Sequence, residues 1–372
     1  MIESKFIALK NLQNYNKGMS KPISSSDLEF ILERLSPELS SFKNEDVLLT
    51  GATGFFGKWL TQTLIAAQDK WRLNNSFYIL TRDRARVLSE CPWFRGRSDV
   101  HFLQQDIRAL ESRQSFSTII HGAVSASKDL NDNQPLVMFD TIVEGTKQIL
   151  KLVECGDCKK LLLLSSGAIY GEQPSEIAHV DENYRGGPDT LSKNSAYGEA
   201  KRVSEFLCAE TASRSSCAIK IARCYAFVGP YLPLDTHFAA GNFMNAVLRG
   251  EPIRIGGDGT PLRSYLYCAD LAVWLFKILF NGSPNMAYNV GSDHAVSIFE
   301  LAQLIHELGC AIDPKRRNLK EPITVAQKPQ PHATRLQYVP SIERAKTQLG
   351  LSVWTPLQSA FQKTLQWHVE KL

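Results

Sequence analysis

A short apolar run followed by three evenly spaced glycines constrains this chain more than any other feature of its sequence. The run covers residues 47–50, the glycines are Gly51, Gly54 and Gly57, and a helical pattern of apolar residues follows. Glycine at these positions permits a sharp turn, close approach of a dinucleotide pyrophosphate, and close packing of helix on strand. The helix N-terminus also attracts phosphate. We therefore predict a dinucleotide-binding turn, with a tight turn that binds nothing as the alternative. The predicted contacts also include Thr53, Phe55 and Phe56.

Four more short apolar runs alternate with helical patterns after this motif. They cover residues 76–81, 100–103, 117–123 and 160–166. Short apolar strands separated by helices predict an α/β fold with a doubly wound parallel sheet covered on both faces. Ligands of such sheets bind at the carboxyl ends of the strands, and the agreement of several strand ends argues against an empty turn. The residues at these predicted ends are Gly51, Thr81, Asp106, Gly122 and Ser166.

Size and composition narrow the class of protein. A chain of 372 residues can hold two modest domains or one large domain with a lobe. The net charge of +4 is too small and too dispersed to indicate nucleic-acid binding. No apolar run approaches the roughly 18 residues of a membrane span, and a signal-peptide core is lacking, so we expect a cytoplasmic protein without a membrane partner. The eight scattered cysteines indicate reduced thiols rather than a metal site.

Residues 1–45 precede the first predicted strand and form an N-terminal extension. Ser24 and the polar residues 25–27 offer helix-capping side chains, and apolar residues follow at helical spacing from Leu28 to Leu35. We expect an added helix that packs either on this domain or on a second subunit.

The residues after the second predicted strand bear on the form of the cofactor. An NAD site usually has Asp or Glu there for the ribose 2′-hydroxyl, whereas this chain reads Thr81, Arg82 and Asp83. The Arg82 guanidinium suits bidentate contact with a 2′-phosphate. Asp83 stands one residue late and leaves NAD open, and solvated surface charge is a further alternative. We predict NADP(H) in preference to NAD(H).

A Tyr and a Lys four residues apart begin a later predicted helix. Tyr197 and Lys201 then lie on one helix face. An ammonium near a phenol favours the phenolate, so we expect Lys201 to lower the pKa of Tyr197 and also to hold the nicotinamide ribose. Ser166, at the end of the fifth strand, is placed to hydrogen-bond the substrate oxygen that Tyr197 protonates or deprotonates. A surface Tyr–Lys pair is the alternative to this catalytic interpretation.

Taken together, these motifs resemble the extended short-chain dehydrogenase/reductase family, whose members mostly act on nucleotide sugars. The similarity covers about residues 46–350, with the motifs in order. The matching segments are residues 50–57, 106–107, 121–123, 145–146, 165–171, 197–201, 229–230, 257–265, 270–271 and 288–291.

The resemblance implies a Rossmann domain at residues 46–225 and a smaller α+β lobe, mainly residues 226–372 and interleaved with it, that binds a nucleoside diphosphate sugar. It also implies a catalytic set of Ser166, Tyr197 and Lys201, and a homodimer formed through two helices of the Rossmann domain. The further cofactor contacts that it implies are Asp106 and Ile107 beside the adenine, with Gly122 and Ala123.

The same resemblance assigns Arg263 to the substrate pyrophosphate. Arg263 follows a glycine-rich turn at residues 256–259, which suits a guanidinium held against phosphate, while a plain hairpin with an exposed Arg is the alternative. Arg249 and Arg335 are further candidates for the same anion. His237 is a candidate either for sugar or phosphate contact or for a structural loop histidine.

Three departures from the family pattern limit the reaction. Gly167 and Ala168 stand where family 4,6-dehydratases have an acid–base pair, and neither side chain transfers protons. Ile142 replaces a family Asn, and Ala226 replaces another that usually contacts the sugar nucleotide. Elimination of water therefore lacks its usual groups, and the pose of the substrate does not transfer from relatives.

Hydride transfer at a sugar carbon, most plausibly C4, is the chemistry that remains. We predict reduction of a 4-keto (6-deoxy) nucleoside diphosphate sugar, because Arg82 favours an exchangeable NADPH. A 4-epimerase, which uses the same residues with a stored NAD, is the alternative. A 4,6-dehydratase ranks third, and a non-catalytic dinucleotide sensor ranks last.

Overall fold

The computed structural model describes residues 21–122, 133–234, 238–330 and 334–371. Ala123 and His237 therefore lie outside the described residues. The strands of the described chain are β1 (Asp46–Thr50), β2 (Ser76–Thr81), β3 (Val100–Gln104), β4 (Thr118–His121), β5 (Lys160–Ser166), β6 (Ala218–Cys224), β7 (Phe227–Val228), β8 (Ile253–Ile255), β9 (Leu262–Arg263), β10 (Leu266–Tyr267), β11 (Met286–Val290), β12 (Val296–Ser297), β13 (Ile323–Val325) and β14 (Gln337–Tyr338).

The α-helices of the same residues flank these strands. They are α1 (Ser25–Arg34), α2 (Ser36–Ser41), α3 (Phe55–Trp71), α4 (Arg84–Glu90), α5 (Pro135–Cys155), α6 (Ala196–Arg214), α7 (Ala239–Leu248), α8 (Cys268–Asn281), α9 (Ile298–Ile312), α10 (Glu343–Leu349) and α11 (Leu357–Lys371).

Seven parallel strands form the central sheet, in the order β3-β2-β1-β4-β5-β6-β11. The predicted doubly wound α/β fold is confirmed. Its strands are apolar because helices cover both faces: Leu49 and Ile120 belong to the larger buried cluster, while Leu48 and Ile119 belong to the cluster on the other side. The chain order reverses at β1, and parallel strands bring their carboxyl ends to one edge.

The N-terminal extension packs on the chain's own domain. The hydroxyl of Ser24 caps α1 by accepting from the backbone N–H of Asp27 at 3.1 Å. Buried Ile31 and Leu35 join the main core, and α1 contacts α3 and α8. The buried carboxylate of Asp27 accepts hydrogen bonds from Tyr267 at 2.8 Å and from Lys363 at 2.7 Å. These contacts favour the first of the two packing alternatives.

The smaller lobe is built from short strands and two helices. Parallel β8 and β13 form one ribbon, and β9 lies between β12 and β14 in a three-stranded sheet. Helices α7 and α9 pack on each other beside them. Since β11 belongs to the central sheet although it follows these first lobe segments, the two units are interleaved along the chain.

Within the described part of the chain, none of the helices combines the length and apolar character that crossing a membrane would require.

Candidate active site

The glycine turn between β1 and α3 has the geometry that a dinucleotide requires. Gly51 has φ +76°, a conformation that favours glycine. A Cβ at Gly57 would lie 2.2 Å from the carbonyl oxygen of Gly51, so only glycine lets α3 pack this close to the turn. Gly54 precedes α3 without capping its backbone N–H groups by a side chain. The first turn of α3, with Phe55 and Phe56, is therefore available to phosphate oxygens, and the site fits a pyrophosphate.

One cation and one carboxylate follow the end of β2, and the carboxylate already serves as a helix cap. Arg82 is exposed. The carboxylate of Asp83 caps α4 by accepting from the backbone N–H of Arg86 at 3.0 Å. Thr81 completes this corner, since its hydroxyl accepts from the N–H of Asp83 at 3.1 Å. Asp83 is therefore already used as a helix cap, whereas Arg82 stands exposed at the same corner.

Asp106 and Ile107 follow β3 beside this corner. Hydrogen bonds from Arg108, at 2.9 and 3.0 Å, lower the pKa of Asp106 to about 2, and the charge of Arg82 adds to the effect. Ile107 is buried against α5, where a Cβ at Gly145 would lie 2.8 Å from its side chain. Asp106 is therefore an anion at neutral pH, close to Arg82.

A buried histidine ties the glycine turn to the helices behind it. His121, at the end of β4, bonds to Thr50 at 2.8 Å through Nδ1 and to Thr146 at 3.2 Å through Nε2. Burial, helped by the charge of Lys201, lowers the pKa of His121 to about 3. The backbone N–H of the next residue, Gly122, donates to Thr50 Oγ1 at 3.1 Å. A neutral imidazole thus fixes the edge of the sheet on which the cofactor residues stand.

The structure brings the three predicted catalytic side chains together at this edge. Lys201 is buried, and its ammonium donates to the carbonyl oxygen of Leu164 at 2.7 Å. It lies 5.9 Å from the ring centroid of Tyr197. Tyr197 lies beside Ser166, which influences the pKa of the Tyr197 hydroxyl. The hydroxyl of Ser166 accepts from the backbone N–H of Ala168 at 3.1 Å, which holds the serine in place.

One expectation about this cluster is wrong. Lys201 does not lower the pKa of Tyr197 below its usual value. Burial raises the pKa of Tyr197 to about 12, against a smaller opposing effect of the neighbouring Ser166 hydroxyl. Burial also lowers the pKa of Lys201 to about 8. Tyr197 therefore holds its proton at neutral pH, beside a lysine that is still mostly charged.

Two further tyrosines reach the cluster, and the sequence analysis missed both. Tyr338 comes from β14 in the lobe and lies near Ser166 and Tyr197, both of which influence its pKa. Its ring packs at a tilt against Tyr225, which follows β6, with the centroids 4.5 Å apart and the planes at 35°. A Cβ at Gly167 would lie 2.7 Å from the hydroxyl of Tyr338 and from the ring of Tyr225. The tyrosines fill the space in which a side chain at position 167 would stand.

The candidate anion-binding residues are dispersed. Arg263 on β9 is partly buried and pairs with Tyr338 of β14, which places it next to the cluster. Arg335 is exposed, and its Nε donates to the carbonyl oxygen of Thr260 at 2.6 Å. Arg249 is exposed at the end of α7. Of the three, Arg263 is the one that the structure brings to the catalytic side chains.

An ion pair beneath the cluster supports its position. Arg223 on β6 binds Glu205 of α6 at 2.7 Å, and both side chains are largely buried. Arg223 also donates to the hydroxyl of Tyr170 at 2.8 Å. Tyr170 donates to Asn289 of β11 at 2.8 Å. This network joins two strands of the sheet, β6 and β11, to α6, which carries Tyr197 and Lys201.

Within the described ranges, no three His, Cys, Asp or Glu side chains are grouped as holding a metal ion would require.

Comparison with known proteins agrees with this geometry. The model of the NAD dependent epimerase/dehydratase family matches residues 47–291. UDP-glucuronic acid decarboxylase 1 of Danio rerio is 25% identical over 352 residues, which are 93% of this chain and 78% of that protein.

Two solved structures share the fold. UDP-glucose 4-epimerase of Thermotoga maritima, solved with UDP-glucose, has a TM-score of 0.72 and 22% identity, over 88% of this chain and 99% of that one. dTDP-glucose 4,6-dehydratase of Bacillus anthracis, solved in complex with NAD, has a TM-score of 0.70 and 17% identity, over 88% and 97%.

Proposed function

Because the chain belongs to the NAD dependent epimerase/dehydratase family, we propose that it reduces or oxidises a nucleoside diphosphate sugar at C4. The proposal rests on one arrangement: Tyr197 lies beside Ser166, and the buried ammonium of Lys201 lies 5.9 Å from the ring centroid of Tyr197, at the sheet edge that carries the glycine turn. The relatives named above act on sugar nucleotides, which supports this substrate class.

Each residue of the site has its own role in the proposed reaction. The glycine turn and the first turn of α3 hold the pyrophosphate of the dinucleotide, and Arg82 holds its adenosine end. A bound NAD(P)H supplies the hydride that the sugar carbon receives. Tyr197 donates its hydroxyl proton to the sugar oxygen, Ser166 orients that oxygen, and Lys201 stabilises the phenolate left behind. Arg263 holds the substrate diphosphate.

Net reduction of a 4-keto sugar with NADPH is the direction that the site favours. Burial keeps the pKa of Tyr197 at about 12, so the residue is protonated at neutral pH, as a proton donor must be. Asp83 caps a helix, whereas Arg82 has no such role. The guanidinium of Arg82 suits a 2′-phosphate. The first observation supports reduction, and the second supports NADPH as the cofactor.

A 4-epimerase that stores NAD is the second candidate. It uses the same three residues twice, first as base and then as acid, and the NAD dependence of the family favours it. A 4,6-dehydratase ranks below both, since Gly167 and Ala168 offer no acid or base. A cofactor sensor without catalysis ranks last, because it needs no Tyr–Lys pair.

The deciding experiment supplies NADPH with a 4-keto-6-deoxy nucleotide sugar and follows absorbance at the nicotinamide band. Stoichiometric loss of NADPH supports the reductase, and the Tyr197→Phe variant should abolish it. Interconversion of 4-epimers without added cofactor would replace the reductase by the epimerase. Release of CO2 from UDP-glucuronic acid would replace it by a decarboxylase. Tighter binding of NAD than of NADP would overturn the cofactor preference.

The proposal includes a homodimer formed through α5 and α6. These helices pack along each other and expose large apolar side chains: Leu136 is 74% exposed and Phe206 is 65% exposed. Apolar exposure on adjacent helices supports an interface. Light scattering should give twice the chain mass, and Phe206→Glu should shift the mass to that of the monomer. A wild-type monomer at micromolar concentration would exclude the dimer.

A further inference from the structure

Two buried cysteines lie against each other at the amino-terminal edge of the sheet, opposite the edge that carries the catalytic cluster. Cys158 stands two residues before β5 and Cys217 directly precedes β6, and their sulfur atoms are 3.6 Å apart. Both are free thiols. We propose that the pair is a redox modification site, at which a peroxide converts the two thiols to a disulfide that stabilises the fold and that small thiols reduce again. The inference is independent of the proposed function.

The backbone around the pair has the spacing that a disulfide requires. Strands β5 and β6 are parallel neighbours, paired from Lys160 opposite Ala218 onward. The N–H of Ala218 donates to the carbonyl oxygen of Lys159 at 2.9 Å, so each cysteine adjoins a residue of this bond. Neighbouring strands lie about 4.8 Å apart, within the range of about 4.4–6.8 Å over which the Cα atoms of disulfides are found. The sulfur atoms need to come only about 1.5 Å closer to bond.

The surroundings of the pair make one thiol the more reactive. The contact with Cys158 and the charge of Lys220 lower the pKa of the Cys217 thiol, against the effect of burial. The same contact, together with burial, raises the pKa of the Cys158 thiol. Because the thiolate is the nucleophile, Cys217 reacts first with an oxidant, and Cys158 is in place to react with the product.

The oxidation balances with hydrogen peroxide as its one co-reactant. The Cys217 thiolate attacks one peroxide oxygen and the O–O bond breaks. The hydroxide that leaves takes up the proton released by the thiol, which gives water and a sulfenic acid on Cys217. The Cys158 sulfur then attacks the Cys217 sulfur, the S–O bond breaks, and a second water leaves. The two thiols together lose two electrons and two protons, and the peroxide is reduced to two waters.

Burial limits which oxidant reaches the pair. Cys158 is 5% exposed and Cys217 is 6% exposed. Susceptibility of a thiol to oxidation follows its exposure, so such a pair is open to a molecule nearly as small as water and closed to a bulky aromatic disulfide. Cys155, at the end of α5, is an exposed free thiol. It therefore reports, in the same molecule, that an oxidant has been active.

The cross-link would enclose the whole catalytic set. The two cysteines are 59 positions apart in the chain, and Ser166, Tyr197 and Lys201 lie between them. A disulfide that closes a loop of this length stabilises a fold mainly by restricting the unfolded chain. Because the pair stands at the edge of the sheet away from the catalytic cluster, we expect oxidation to stabilise the protein and to leave cofactor binding unchanged.

The first test treats the protein with a small excess of hydrogen peroxide, blocks the remaining thiols after denaturation, and maps the peptides by mass spectrometry without reductant. We expect a cross-linked pair of peptides that contains Cys158 and Cys217, and its loss on adding dithiothreitol. Cys217→Ala should prevent the cross-link. Cys208→Ala is the matched control and should keep it, since Cys208 is a buried thiol of the same apolar cluster.

Three results would overturn the inference. One is a cross-link of either cysteine to Cys155 or Cys208 in place of the expected pair. Another is oxidation of Cys217 to the sulfinic acid without a cross-link. The third is an unchanged pair under conditions that oxidise the exposed Cys155.

The second test measures thermal denaturation before and after peroxide treatment. We expect the Tm of the wild type to rise by about 3–8 °C and to return on reduction, with the same rise in Cys208→Ala and none in Cys158→Ala. A rise shared by Cys158→Ala, or no rise in the cross-linked wild type, would contradict the inference. If the cross-link forms but no nucleotide sugar is turned over, the redox site stands and the proposed function fails.

Discussion

The ammonium of Lys201 donates a hydrogen bond of 2.7 Å to the carbonyl oxygen of Leu164. Leu164 lies on β5 two residues before Ser166, so one strand fixes both the cation and the serine of the cluster. Since Lys201 comes from α6, this bond also sets the distance between α6 and the sheet, and with it the position of Tyr197.

We predict that activity falls as the pH rises through about 8. Burial lowers the pKa of Lys201 to about 8, so its charge is lost above that value, and the rate should drop roughly tenfold per pH unit. The fold itself should not weaken through this group. Between this pKa and the ordinary value the folded protein binds fewer protons than the unfolded chain, so the free energy of unfolding rises with pH.

The matched control for this lysine is Lys220. It is also buried, and its ammonium donates to a backbone carbonyl, that of Leu279, at 3.0 Å. We expect Lys201→Met to lower kcat by about 100-fold or more, and Lys220→Met to lower stability while leaving kcat unchanged. Equal losses of kcat in the two variants would mean that burial of a cation, rather than its place in the cluster, is what matters.

We predict that His121 makes the fold sensitive to acid. Its pKa is lowered to about 3, so below the ordinary value the unfolded chain binds a proton that the folded protein does not. The free energy of unfolding should therefore fall by about 1.4 kcal/mol per pH unit from about pH 6.5 toward pH 3. Urea denaturation of His121→Gln should show a shallower pH dependence than that of the exposed control His294→Gln. Identical slopes would contradict the prediction.

We predict that Gly57→Ala damages both stability and cofactor binding. The added Cβ would lie 2.2 Å from the carbonyl oxygen of Gly51 and 2.6 Å from the backbone of Ala52, and backbone cannot move aside as a side chain can. We expect a loss of about 1–3 kcal/mol in thermal or urea denaturation, with weaker binding of NADP and NAD alike. Gly256→Ala is the control, since a Cβ there would meet no atom within 4 Å. A stable Gly57→Ala protein with normal cofactor binding would refute the packing argument.

We predict that Arg82→Ala weakens NADP binding by about 10- to 100-fold while NAD binding changes little, because a charged hydrogen bond to phosphate is lost. Calorimetric titration with both cofactors measures the difference. Arg86→Ala serves as the control, since Arg86 is exposed on the next helix and pairs with Glu90. Parallel losses for both cofactors would show that Arg82 acts on the whole site and not on the 2′-phosphate.

Local signals in the sequence predicted several strands of the fold correctly. The second and fifth strands, Ser76–Thr81 and Lys160–Ser166, cover the apolar runs from which they were expected. Ser166 lies at the carboxyl end of β5, and α6 brings Tyr197 and Lys201 to the same edge of the sheet. The pKa of Tyr197 could not be foreseen in the same way, since it depends on burial by residues distant in the chain.

Tyr338 and Tyr225 escaped prediction for a similar reason. Tyr338 stands on a strand of two residues in the lobe, and Ser166, beside which it lies, is 172 positions away in the chain. The one local signal was Gly167, which we interpreted only as the absence of an acid. A glycine beside the serine also leaves free volume, and side chains from distant parts of the sequence must fill it.

Gly167 also constrains how this protein could evolve. A carboxylate introduced there would begin 2.7 Å from the Tyr338 hydroxyl and 2.7 Å from the ring of Tyr225. The side chains of Tyr338 and Tyr225 would have to move aside or be replaced for that carboxylate to fit. The space beside Ser166 is thus already occupied by two aromatic residues from elsewhere in the chain, and gaining an acid there requires a change in more than position 167.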